Sequence, residues 1–167
     1  MKTKDTVICG VITAILCVIS PIAIPVGGIP LTLSTLVIYI VAAVTRPYIS
    51  VVSVILYIFI GMLGLTVFSG FSGGVTHILG PGGGFILGYI PLTVCIALFK
   101  RSKKGFVWGI IAGTVILYIC GCTGYLINTD CSFKTMLSIC ILPFLPFDII
   151  KIILSITISP KIIKNKM

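Results

Sequence analysis

Asp148 and Lys151 stand three residues apart in the run PFLPFDIIKIILSITIS (143–159), which carries no other charge and is long enough to lie in a bilayer. An ionisable side chain at the centre of a membrane helix costs roughly 2.5–3.5 kcal/mol on insertion scales, so such groups are kept for a ligand, an ion path or a structural pair. On a helix, positions i, i+3 and i+7 share a face, which aligns Asp148, Lys151 and Ser155. A carboxylate accepts hydrogen bonds from N–H groups and an ammonium donates to oxygen. Two uses follow: a pair that fixes helix packing, or a pair that grips one polar end of a small guest. Pro143 and Pro146 remove backbone donors just upstream, predicting a break between Ile141 and Phe147 and a restart that puts Asp148 in the first turn of the new helix. Phe144 joins the same face if the break is mild. Irregular backbone at membrane depth survives where it is buried in protein or lines a cavity.

The elements that must position this pair are read from composition. The 167 residues are 58% hydrophobic and 9% charged, against roughly 25% charged in ordinary soluble domains. The chain is expected to be a single polytopic, all-α membrane domain over 1–167. Uncharged runs longer than the ~20 residues of a crossing helix, cut by nine prolines and eighteen glycines, predict six spans near 6–19, 31–44, 49–63, 85–99, 105–127 and 135–159. With the N-terminus inside, Lys2, Lys4, Arg46, Lys100, Arg101, Lys103, Lys104, Lys161, Lys164 and Lys166 fall on the cytoplasmic side and only Lys134 outside, predicting N-in/C-in topology. The net charge of +9 is therefore a topology signal, and no nucleic-acid partner is expected from the KRSKK cluster. The first helix lacks an A-x-A site, and Asp5 spoils a basic leader, so it is expected in the mature protein. Seven cysteines without C-x-x-C or Cys/His spacing predict no metal site and no cofactor.

Three further features carry possible chemistry. The segment FSGFSGGVTHILGPGGGFILG (68–88) has glycines at Gly80, Gly83 and Gly84 that let main chain approach a ligand, and Phe68, Phe71 and Phe85 to wall an apolar pocket. It reads as a lid or as a flexible connector; it has no G-x-x-x-x-G-K-[ST] phosphate loop. His77, the one histidine, is a proton-coupling group or a plain polar loop residue. Gly10 and Ala14 form a small-xxx-small pair, beside Thr13 and Cys17, suited to close helix contact within the chain or with another protein.

The segments IPLTLSTL (29–36), LYIFIGMLGLTVFSG (56–70), GPGGGFILGYI (80–90) and LPFLPFDIIK (142–151), in this order, resemble the BioY family of biotin transport proteins. The resemblance implies the substrate-binding S component of an energy-coupling factor (ECF) transporter, a multi-pass plasma-membrane protein with biotin held near the outer side. It also implies a coupling transmembrane protein and two cytoplasmic ATPase subunits as partners, the first met through Gly10 and Ala14. Ligand contacts carried over are Asp148 and Lys151, with Phe68, Gly80, Gly83, Gly84 and Phe85 around them. The ureido head of biotin, two N–H donors and a carbonyl, suits a carboxylate beside an ammonium, while its distant carboxylate falls to loop backbone N–H groups or a hydroxyl. Gly82, Phe85, Ser34, Thr66 and Phe147 depart from the family pattern, so pocket polarity is expected to differ. A different vitamin or a biotin precursor is the alternative ligand. A membrane enzyme using Asp148 as general base lacks a second catalytic group, and a structural role is the remaining alternative; no catalytic residue is assigned.

Overall fold

The computed structural model describes residues 3–26, 29–100, 102–129 and 131–164. Lys2, Arg101 and Lys166 of the orientation argument lie outside the described residues. Helix α1 (Thr3–Ile19) leads into a hairpin of β1 (Ala23–Val26) and β2 (Ile29–Thr32), followed by α2 (Ser34–Val44) and α3 (Pro47–Met62). A structured loop then holds the short α4 (Val75–Leu79), and α5 (Gly83–Phe99), α6 (Lys103–Asn128), α7 (Phe133–Cys140) and α8 (Phe144–Lys164) complete the chain.

The hairpin corrects the all-α expectation. Strands β1 and β2 pair antiparallel with Ala23 opposite Thr32 and Val26 opposite Ile29. Pro25 and Pro30, opposite each other in the ladder, would each cost a helix interior a hydrogen bond, but a two-stranded ribbon consists only of edges, where a missing N–H is tolerated. The second helix therefore begins at Ser34 and not at Leu31.

The sixth predicted span divides at Ile141, and α8 restarts at Phe144, three residues earlier than predicted. Pro146 falls in the first turn of α8, where backbone N–H groups have no intrahelical acceptor and nothing is lost by lacking one. Asp148 consequently lies in the second turn.

Helix α5 packs along α6, α1 on α3, and α2 on both α5 and α8. Close approach of α5 and α6 needs glycine: a Cβ on Gly84 would lie 2.3 Å from the Cys120 carbonyl oxygen, and one on Gly124 2.8 Å from the Gly84 Cα. Hydroxyls sew α1 to α3: the single hydrogen of Thr13 Oγ1 is shared between Cys9 O of its own helix (2.8 Å) and Ser53 O of α3 (3.2 Å). Tyr39 and Thr114 bond at 2.8 Å between α2 and α6. Lys100, at the end of α5, donates to the carbonyls of Ala42 (3.0 Å) and Thr45, neutralising the negative end of α2.

The outer surface is apolar. Val7, Val11, Ile15 and Val18 on α1, Trp108, Val115 and Ile119 on α6, and Ile149, Ile150 and Ile153 on α8 all face outward, as helices do when the solvent is lipid. Among the described residues, two helical segments, Lys104–Asn128 and Phe133–Ser159, are long and apolar enough to cross a membrane, and three more apolar helices are shorter.

Gly84→Ala is expected to lower stability by roughly 1–3 kcal/mol through overpacking, whereas Gly10→Ala, with nothing within 4 Å of its Cβ, should stay within about 0.5 kcal/mol. Thermal unfolding in detergent reads both, and equal effects would refute the close approach of α5 and α6.

Candidate functional site

Helix α8 brings Asp148 and Lys151 onto its inner face, each 5% exposed. Lys151 Nζ stands 3.2 Å from Asp148 Oδ1. The same ammonium donates to Thr32 O at 2.8 Å, at the end of β2, and to Thr35 Oγ1 at 2.9 Å, in the first turn of α2. Three donors thus meet three oxygens, and the ammonium is saturated. Asp148 differs. Its Oδ2 accepts from the Tyr118 hydroxyl on α6 at 2.5 Å and its Oδ1 from Lys151, which leaves about two of a carboxylate's four lone-pair positions open.

A cavity of about 190 Å³ adjoins the pair. Asp148, Lys151, Tyr118 and Tyr89 supply its polar wall together with Thr32 and Thr35, while Phe85, Ile86, Leu117 and Phe144 supply apolar surface. Phe85 and Phe144 stack with centroids 6.0 Å apart and planes 12° from parallel. Small-molecule sites have this composition, mostly apolar with a few convergent polar groups. The remaining wall comes from the hairpin at Ile29 and Pro30 and from Ser69, His77, Pro81 and Gly82 of the 68–82 loop.

Of the residues singled out from the sequence, Asp148, Lys151 and Phe85 are brought together on this cavity, whereas Phe68, Gly80, Gly83 and Gly84 are not among its lining residues. Phe68 is fully buried behind the wall, seated where a Cβ on Gly61 would lie 2.1 Å from its ring. Its ring meets Tyr57 edge-on at 5.7 Å and stacks on His77 at 5.6 Å. Gly83 exists for packing, since a Cβ there would lie 1.6 Å from the Ile78 carbonyl oxygen; Gly84 faces α6, and Gly80 ends α4. The glycine-rich segment is therefore packed structure, not a loose connector.

Tyr118, Tyr89, Thr32 and Thr35 were not singled out for the site. Thr32 and Thr35 lie within the IPLTLSTL motif, and the presence of two hydroxyls just after the proline-rich segment was the available signal. Tyr118 carried none beyond being a polar-tipped residue in an apolar helix. Gly10 and Ala14 lie on the exposed side of α1, whereas Thr13 packs against α3 and Cys17 is half-buried, so the two small-residue stripes separate into an outward and an inward one.

Replacing Asp148 alone by Leu strands a buried ammonium and is expected to cost about 3–5 kcal/mol, while Asp148→Leu with Lys151→Met should recover most of that loss. Unfolding of the unliganded protein measures it; a double variant as unstable as the single one would show that the pair is not the electrostatic unit described.

A family model described as the BioY family matches residues 1–166. The probable biotin transporter BioY of Pyrococcus horikoshii is 30% identical, with 99% of each chain covered. The biotin transporter BioY of Thermotoga maritima is 31% identical over 93% of each chain. Among solved structures, the S-component for biotin from an ECF-type ABC transporter superposes with a TM-score of 0.88 at 23% identity, covering 98% of this chain and 92% of its own, a likeness of fold.

Proposed function

The chain belongs to the BioY family, and on that premise we propose that it is the substrate-binding subunit of an ECF-type transporter that captures biotin in the cavity beside Asp148. The observation that carries this reading is the asymmetry of the buried pair: a saturated ammonium holding a carboxylate with open acceptor positions. A ureido head presents two N–H donors, and a carboxylate with free lone pairs is their complement. Lys151 serves first to hold that carboxylate in place, and its carbonyl-directed role requires exchange of one present acceptor for the ligand oxygen. Phe85 and Phe144 offer apolar walls to the thioether ring and the methylene chain.

The same reading extends to the rest of the molecule. The chain acts as one polytopic domain with six crossings of the plasma membrane, N-in and C-in, in which α7 and α8 together form the sixth. The exposed Gly10 and Ala14 face of α1, with open space around Gly10, meets the coupling transmembrane protein, and two cytoplasmic ATPases supply the energy. The relatives are named as transporters. No reaction is assigned to Asp148, whose charge partner Lys151 is committed to three oxygens.

Purified protein is expected to bind biotin without ATP in a calorimetric or radioligand assay. Asp148→Asn should weaken binding by roughly tenfold or more, because a ligand N–H then faces an amide and the ammonium loses its counter-charge. Unaltered affinity in a folded variant would place the ligand elsewhere. Gly10→Leu and Ala14→Leu should reduce co-purification with the coupling module and leave biotin affinity unchanged; loss of ligand binding instead would mean that this face supports the fold.

A further inference from the structure

His77 is left without a role by the pair on α8, yet it lines the same cavity from the loop side. Its ring is stacked on the fully buried Phe68, with planes 17° apart, so its position is fixed by packing. Ser72 Oγ donates its single proton to Ser69 O at 2.7 Å. The contact of 3.2 Å between Ser72 Oγ and His77 Nε2 is met without competition for that hydrogen in the tautomer whose Nε2–H is the donor. Nδ1 is then the available ring nitrogen, and no hydrogen-bond partner to it is present among the described residues.

The charge balance of the cavity gives this nitrogen a use. Asp148 and Lys151 neutralise each other, and the ammonium has no donor to spare. A guest that brings one negative charge into a largely apolar hollow needs a compensating cation, and among the described lining residues His77 is the remaining group able to become one. The other titratable groups around it are phenols: Tyr89 on α5 and Tyr118 on α6 share the cavity, and Tyr57 on α3 lies behind Phe68. Asp148 and Lys151 on α8 line the same cavity as an ion pair without net charge.

We propose that His77 is the anion-recognising residue of this cavity, protonated on capture so that its Nδ1–H donates to the carboxylate of a guest whose uncharged polar head lies at Asp148. The inference rests on the biotin reading and adds a residue that selects the acid over its neutral derivatives. Partial burial favours the neutral imidazole in the free protein by lowering its pKa, so capture takes one proton from solvent. Binding is then tightest at acid pH, while the guest acid, near the ordinary carboxyl value of about 4.3, stays ionised. It weakens as pH rises through the pKa of the ring in the complex.

The test is calorimetry on the full-length protein with biotin and with biotin amide between about pH 5.5 and pH 8. Biotin affinity is expected to fall by roughly tenfold across this range, with proton uptake visible as a buffer-dependent heat, while the amide shows neither. His77→Gln should flatten the biotin profile and bring biotin to the affinity of the amide; if that variant does not fold, the comparison of the two ligands on the unaltered protein decides alone. Biotin bound equally across the range, with no proton uptake, overturns the role of His77, assigns the carboxylate to loop N–H groups or Ser69, and leaves the biotin reading intact. Binding of neither ligand at any pH overturns that reading and this inference together.

Discussion

One ammonium group organises the centre of this molecule. Lys151 Nζ is buried, and a buried charge is tolerable only when its donors are all met. Thr32 O, Thr35 Oγ1 and Asp148 Oδ1 meet them, and these oxygens come from the end of the hairpin, the start of α2 and the inner face of α8. The requirement fixes where the hairpin stops, how α2 enters the bundle and which face of α8 turns inward. The proline-rich segment before α2 is in this light a structural need: a helix running through residues 29–32 would bond its carbonyls to its own amides, whereas the strand-to-helix junction leaves the Thr32 carbonyl within reach of Nζ.

The same saturation defines what the site can recognise. A cavity holding a free ammonium would select anions at that point. Here the ammonium is enclosed, and the open valence belongs to Asp148, steadied on its second oxygen by Tyr118. The inner end of the hollow therefore favours a neutral guest bearing N–H donors. On the proposal made above, a formal charge on that guest is met by His77 of the loop, which lines the same cavity. A carboxylate, an imidazole and the apolar rings of Phe85 and Phe144 on one cavity suit a ligand that combines an uncharged polar head, an apolar portion and a separate polar tail.

What was legible in the sequence divides along physical lines. The charged pair stood out because its cost in lipid makes any other reason for its presence weak, and the helices stood out because uncharged runs of crossing length have few alternatives. The hairpin was hidden because its residues are as apolar as a span, and proline pairs signal only the absence of a helix. Thr35 and Tyr118 were hidden for another reason. Hydroxyls in apolar helices by default satisfy themselves on their own backbone, as Thr45 does on Val41 O, Thr93 on Tyr89 O and Thr157 on Ile153 O. A threonine that instead serves a distant lysine reads identically in one dimension. The glycines at 80–84 were legible as special but not for their purpose, since close approach to a ligand and close approach to a neighbouring helix demand the same missing side chain.

That last ambiguity bears on how the cavity closes. Were Gly83 and Gly84 ligand-facing, the loop before α5 would be free to fold over a guest. They are instead wedged against Ile78 and α6, and the loop is pinned at its other end by Phe68 on Gly61 and by the Phe68 and Ser72 backbone pair. Gly70 and Gly74 adopt positive φ between these anchors, a conformation that side chains resist. The loop is thus a shaped wall, and opening it requires separating packed rings, not straightening a slack tether. Because His77 stacks on the same Phe68, the imidazole is held by the packing that shapes this wall, and displacing the wall means disturbing that stack.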